Sequence, residues 1–482
     1  MSTEVDSTAR PMRPGWALGL VSICAFLTAL DVMVVVTALP TIRTEMGASL
    51  ADLEWTVNAY TLAFACLLLT GAALGDRFGR RRMYVIGLVV FTAASVVAAM
   101  STTVEVLIIG RVLLGIGAAL CMPVSLTLLT DAFPPHRRGM AMGVWGSVSG
   151  LAVAAGPVVG GLITQVLSWP WIFWLNVPLG LGAALLSALL LRESRGPRPR
   201  LDLTGLTLVS LGLFGLTWAL VRGPNAGWAS SEVLVTAVGG ALLLLAFVAW
   251  ERHTPQPMLP LSYFRNQQFA VVNIVAFFQH FALIGSLFML AQLFQVGLGD
   301  GPMAAGLHML PWTLMPLLVA PIVGRLADRY GNWPFMTVGL LLQGISLIVI
   351  AWLAAPGMAY GSLILPMIIG GVGITMSIPT VINAVFGSVP QNDIGVASGT
   401  NSAVREVGAV FGVVCLSAMF IAYGSYDSPE ASIDGFQAAL ILGGAASIVG
   451  AITATFSPER RRLAPAPVHA GSRSPVESLD RA

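Results

Sequence analysis

The chain has 482 residues, of which 56% are apolar and 10% charged, with a mean hydropathy of +0.83. Ordinary soluble domains carry about 25% charge, so the composition excludes a soluble globular protein and reads as a polytopic membrane protein. The net charge of +2 rests on 25 basic residues, all Arg. Without Lys there is no P-loop lysine, which excludes a standard ATP motor, and nothing in the charge points to nucleic acid.

Met1 to Pro14 is polar, and the apolar run after it is too long for a cleavable signal peptide and carries Asp31. Fourteen runs approach the ~20 residues of a spanning helix. In chain order they are 16–39, 53–74, 84–101, 105–128, 140–163, 171–191, 203–221, 233–250, 270–294, 305–323, 335–353, 361–386, 397–423 and 436–456, here helices 1 to 14. An even number puts both termini on one side. On that side fall Arg10, Arg13, Arg77, Arg80–Arg82, Arg137, Arg138, Arg192, Arg195, Arg252, Arg265, Arg325, Arg329 and Arg460–Arg462. The opposite loops hold Arg43 and Arg222 with a surplus of acids, so the positive-inside rule predicts cytoplasmic termini. Cys24, Cys66, Cys121 and Cys415 lie in apolar runs and imply no extracellular disulfide.

The chain repeats itself. Gly115, Gly117, Pro123, Gly139, Ala141 and Gly143 recur as Gly371, Gly373, Pro379, Gly395, Ala397 and Gly399, each displaced by 256 residues. Leu74-Gly-Asp76-Arg77-Phe-Gly79 echoes Leu326-Ala-Asp328-Arg329-Tyr-Gly331. Such an echo reads as a transporter of two related bundles. The expected architecture is all-α: a six-helix bundle in 1–195, an inserted hairpin (helices 7 and 8) in 196–260 and a second six-helix bundle in 261–456. Residues 457–482 are expected to form a disordered cytoplasmic tail.

Helix 5 is uncharged, with small residues at every fourth place: Gly139, Gly143, Ser147 on one line and Ala152, Gly156, Gly160 on another. In lipid, small residues mark where a neighbouring backbone comes close, and Pro157 loosens the helix. That suits a moving interface, and an ordinary packing helix is the competing reading.

Four charges lie well inside the spans: Asp31, Arg111, Arg405 and Glu406. Each costs at least ~2.5 kcal/mol at mid-membrane, so each is expected to face a cavity or a partner. Asp31 and Arg111 fall at similar depth and are expected to pair, and Glu406 lies near the midplane. The competing readings are a static internal salt bridge for the pair and a local Arg partner for Glu406. Desolvation and a nearby Arg act on a carboxylate's proton in opposite directions. A carboxylate–Arg contact that changes during transport would therefore couple it to a proton gradient. In the loop of Asp76, Arg77, Gly79 and Arg80, glycine permits a tight turn and the arginines can meet facing acids. Asp76 runs against the positive-inside grain.

These residues resemble the major facilitator superfamily, specifically its fourteen-helix drug:proton antiporter family, over nearly all of 16–456. The Asp76 loop resembles motif A, with Ala72 for its first glycine, and the copy with Gly324, Asp328, Arg329 and Gly331 fits fully. Leu30-Asp31 through Pro40 resembles the helix 1 motif, and Arg111, Gly115 and Gly117 resemble motif B, with Leu114 where glutamine is usual. Gly143, Gly156, Pro157 and Gly160 resemble motif C, the antiporter signature, with Ala152 replacing a glycine. The resemblance implies export driven by proton entry, with alternating access between the bundles and no cofactor beyond the proton gradient. It further implies that Asp31 and Glu406 carry protons, that Arg111 modulates Asp31, and that the motif A residues form an interdomain latch. The chain is then a multi-pass protein of the cell membrane, monomeric and in contact with lipid, and the compounds exported are amphipathic drugs and antibiotics, cations among them.

A same-fold importer or dedicated metabolite carrier would share all of this except helix 5. A membrane receptor would need no such set of charges. The five histidines have no metal spacing and no enzyme is expected. Asn58, Tyr60, Gln279, Gln292, Asn383 and Asn401, near Phe277, Phe278, Phe281 and Phe288, are candidate substrate contacts in an aromatic cavity.

Overall fold

The computed structural model describes residues 14–195, 202–255, 257, 259, 261–390 and 394–458, so the tail from 459 onward lies outside the described residues. In a bilayer every backbone N–H and C=O must be satisfied within the protein, and continuous helices do this span by span. The spans are α1 (Pro14–Met46), α2 (Leu50–Phe78), α3 (Arg80–Ala99), α4 (Val104–Ala132), α5 (Pro135–Val166), α6 (Trp171–Leu190) and α7 (Leu203–Ala226). They continue with α8 (Ser231–His253), α9 (Gln267–Gly297), α10 (in three pieces, Pro302–His308, Leu310–Thr313 and Met315–Tyr330), α11 (Trp333–Leu353), α12 (Gly361–Phe386), α13 (Ile394–Tyr423) and α14 (Pro429–Ala454).

Three elements depart from expectation. α1 runs through Pro40 to Met46 instead of stopping at 39, which places Asp31 at the centre of the helix. α2 bends by 50° between Leu68 and Thr70. Just beyond the bend Gly71 meets α4 so closely that a Cβ there would lie 2.0 Å from the Ala119 carbonyl oxygen. α10 is interrupted at Met309 and Leu314, where Pro311 and Pro316 each remove a ladder hydrogen bond.

In the first bundle α4 packs on α2 and α3, α5 on α1, and α6 on α3 and α1. In the second, α9 packs on α13 and α14, α11 on α12 and α14, and α10 on α12. The bundles meet through α5 with α10, α2 with α13, and α1 with α9. The hairpin of α7 and α8 lies over the α2/α13 seam: Leu213 clusters with Leu62, Cys66 and Val410, and Trp55 packs against Phe214 and Trp218 at 5.7 and 5.8 Å.

The two ends of this seam differ. At the end away from the termini, a Cβ on Gly161 would lie 2.3 Å from the Pro302 carbonyl oxygen, and one on Gly306 2.1 Å from that of Pro157. Gln295 donates there to the Thr37 carbonyl at 2.8 Å, and the Arg43 guanidinium sits 3.6 Å over the Tyr426 ring. Toward the end carrying the termini, Gly15, Gly19, Gly146 and Gly324 have no neighbour within 4 Å. An open groove of about 380 Å³ runs between the first turns of α1 and Val144 and Val148 of α5, within the first bundle. Among the described residues the closest approaches between the bundles lie at the far end, and the terminal end is the more open of the two.

Candidate functional site

Asp31 and Arg111 are brought together. The Arg111 Nη1 forms an ion pair with Asp31 Oδ2, and both side chains are 1% exposed. Asn176 Nδ2 of α6 donates to Asp31 Oδ1 at 3.1 Å, and Arg111 Nε donates to the Thr56 carbonyl of α2 at 2.8 Å. The guanidinium lies 4.6 Å over the Tyr60 ring. One ion pair thus ties together α1, α2, α4 and α6. A buried pair of this kind is costly to break one-sidedly, because the survivor is left charged in an apolar core.

Glu406 and Arg405 sit on α13, partly exposed at the middle of the span. Among the described residues Glu406 has no ion partner within 4.0 Å. Arg405 Nε donates to His280 Nε2 of α9 at 3.0 Å. The local Arg partner read as one option for Glu406 is its neighbour in sequence, and the two side chains do not pair.

The motif A loop is built at the end of α2. Gly79 has φ of 114°, a conformation side chains rarely adopt, and a Cβ there would meet the Glu193 carboxylate at 2.7 Å. Asp76 Oδ1 accepts from Arg80 Nε and Nη2 at 3.0 and 2.9 Å, and Arg80 Nη1 reaches Asp131 Oδ2 at 2.7 Å. Asp131 also accepts from Ser194 Oγ at 2.9 Å, and Glu193 accepts from the Arg81 amide at 2.9 Å. Every partner in this network belongs to the first bundle. Arg77 is exposed beside Phe78. In the second copy Gly331 has φ of 81°, Arg329 is exposed beside Tyr330, and the side chain of Asp328 lies outside the described residues.

In α5 the motif C glycines divide their work. A Cβ on Gly156 would lie 2.3 Å from Met33 Cβ, and one on Gly160 3.0 Å from the Val34 carbonyl, so this line packs on α1. Pro157 and Gly161 face α10 of the other bundle. The surroundings of Gly143 lie outside the described residues.

The sequence model of the Major Facilitator Superfamily matches residues 21–413. The chain belongs to that superfamily. Among its relatives, the tetracenomycin C resistance and export protein of Streptomyces glaucescens is 33% identical over 410 residues, 84% of this chain and 76% of that one. The methylenomycin A resistance protein of Bacillus subtilis is 33% identical over 401 residues, 83% of this chain and 86% of its own. A POT family transporter solved with a thioalcohol-conjugated peptide superposes with a TM-score of 0.70 at 15% identity, covering 92% of this chain and 96% of that one. At that identity the likeness shows the fold alone. The superfamily is one of transporters, not enzymes, and this member is a multi-pass membrane protein.

Of the transporter's candidate substrate contacts, several are engaged elsewhere. Gln279 donates to Ser377 Oγ at 2.7 Å, Asn401 donates to Asn273 at 3.2 Å, and Gln292 accepts from the Tyr426 hydroxyl. Asn383 is exposed near the terminal end of α12. Asn58 is buried, and neither of its amide atoms has a hydrogen-bond partner among the described residues.

Three contributors escaped the sequence reading. Asn176 is an isolated amide in an apolar helix, with no pattern to mark it. Glu54, 2% exposed beside Ser417 of α13, is a further buried acid at the α2/α13 seam. The expected run begins at 53 and α2 begins at Leu50, which sets Glu54 a turn inside the helix. Asp131 was legible by the argument used for Asp76, since both are acids at the Arg-rich end.

Proposed function

We propose that this transporter is a proton-coupled antiporter that exports amphipathic drugs, antibiotics or related metabolites across the cell membrane by alternating access, with both termini in the cytoplasm. The observation that carries the reading is the pair of differently neutralised acids. Asp31 is locked to Arg111 in one bundle, and Glu406, on the seam-forming helix of the other, has no ion partner among the described residues. At membrane depth a carboxylate needs a cation or a proton. A shift of α1 against α4 within the first bundle that draws Arg111 away from Asp31 leaves a proton as its replacement. Glu406 is open to a proton or to a positively charged substrate.

With the termini cytoplasmic, as the arginines indicate, the conformation described is inward-facing. Asp76 and Arg80 are then held within one bundle, and the latch between bundles forms when the cytoplasmic end closes. The relatives named for antibiotic resistance and export support the outward direction. The protein is proposed to act as a monomer with no cofactor.

The test compares cells with and without the protein against a panel of toxic amphipathic compounds, measuring survival and intracellular accumulation. Expression is expected to lower accumulation of some compounds, and a protonophore to restore it. Raised accumulation on expression would instead mark an importer. A protonophore-insensitive decrease would remove the proton from the mechanism.

A further inference from the structure

α13 carries, at mid-span, a cation that export by the two acids does not use. Arg405 sits eleven residues from the start of α13, about 16 Å along the helix axis. Its Nε is spent on His280 Nε2 at 3.0 Å. No hydrogen bond or ion pair is made by its Nη1 or Nη2 among the described residues, and the residue is partly exposed, not sealed. His280 is 5% exposed, and its Nδ1 has no partner among the described residues. Because Nε2 accepts from the guanidinium, the imidazole is the neutral tautomer that carries its proton on Nδ1. A guanidinium held by one nitrogen, with its planar fork free and open, is the arrangement that binds two anionic oxygens side by side.

The surroundings say what would carry those oxygens. Phe277 of α9 and Phe411 of α13 are both partly exposed and lie 6.2 Å apart between ring centroids. Their helices are drawn close, since a Cβ on Gly408 would lie 2.3 Å from the Phe277 carbonyl oxygen. Flat apolar surface on the same two helices as a free fork fits an aromatic frame bearing an acidic group. We propose that Arg405, oriented by His280, is an anion-recognition residue for substrates that carry a carboxylate or phenolate on an aromatic frame. This rests on the exporter reading and names part of its substrate range. Glu406, the next residue, opposes the site while it is charged and ceases to do so once it is neutralised.

The test uses purified protein in nanodiscs, with calorimetric titration of anthraquinone-2-carboxylate and its neutral isostere anthraquinone-2-carboxamide, and empty discs as blank. The wild type should bind the carboxylate about tenfold more tightly than the carboxamide, as expected for a charge-assisted bidentate contact. Arg405→Gln should bring the carboxylate down to the carboxamide's affinity and leave the carboxamide unchanged, which also shows that the variant is folded. Glu406→Gln should tighten the carboxylate about threefold, the opposite sign to the loss a merely structural role predicts; this arm decides if Arg405→Gln does not fold. Equal binding of both probes by the wild type overturns the proposal. So does a preference that survives in Arg405→Gln, or unchanged or weaker carboxylate binding in Glu406→Gln. Proton-driven uptake of the carboxamide into inside-out vesicles separates the two readings. Uptake without a carboxylate preference refutes the anion site and leaves the exporter standing. A carboxylate preference that depends on Arg405, with neither probe carried, refutes the exporter and leaves the site standing.

Discussion

At the scale of single residues, the chemistry turns on how a charge is neutralised where water is scarce. Asp31→Asn keeps the shape and the Asn176 contact but strands Arg111 in the core. Losing one partner of a buried pair costs about 3–5 kcal/mol. The variant should therefore melt earlier as well as lose proton-driven export. Asp31→Asn/Arg111→Met should recover most of the melting temperature and none of the transport; recovery of both would reduce the pair to a structural salt bridge. Glu406→Gln removes no ion-paired partner, so its stability should change little. Export assays on that variant should show cationic substrates lost and neutral ones carried more weakly, since Glu406 is shared between proton and ligand. Cationic export at the wild-type level would remove Glu406 from recognition. The Asp31–Arg111 pair was readable in advance because two opposite charges at matched depth in apolar runs leave each other as partners. The motif A hydrogen bonds were less so, since Asp131, Glu193 and Ser194 come from distant points of the chain and meet only through packing.

At the scale of elements, α5 presents two faces with different tasks. Gly156 packs on Met33 of α1 inside its own bundle, and Gly161 packs on Pro302 of α10 across the seam. Leucine at either place meets atoms under 3 Å, with different consequences. Gly156→Leu should push α1 aside and abolish efflux while the protein still reaches the membrane. Gly161→Leu should hold the far end apart and shift the population outward-facing, visible as a longer distance between spin labels at the far ends of α5 and α10. Equal far-end distances in the wild type and Gly161→Leu would refute the seam assignment. The hairpin of α7 and α8 touches α2 and α13 rather than the interior. Removing it should lower the thermal midpoint and leave the range of exported compounds intact, and an altered range at normal protein levels would place it in the pathway. The existence of the spans was legible because ~20 apolar residues in a row have few other fates. The continuation of α1 past Pro40, the bend of α2 and the breaks of α10 were not. A proline bends a helix or ends it according to the neighbours that re-satisfy the freed carbonyls, and those neighbours lie in other helices.

At the scale of the whole molecule, the 256-residue repeat signals two related bundles, while the conformational state shows only in the packing. In α5 alone, Gly146 and Gly150 have no neighbour within 4 Å, while Gly156, Gly160 and Gly161 are pressed against side chains or carbonyls of α1 and α10. Rocking the bundles about the middle would exchange the ends and carry Glu406 from one aqueous side to the other. The claim that holds the account together is that two carboxylates couple this motion to protons. Inside-out vesicles with an acidic lumen and a pH-sensitive fluorescent dye report it directly. With the wild-type protein, adding an exported compound should release protons from the lumen and dequench the dye. The same addition to vesicles carrying Asp31→Asn/Glu406→Gln should leave the fluorescence flat. Equal dequenching by the wild type and the double variant would contradict the carboxylate mechanism.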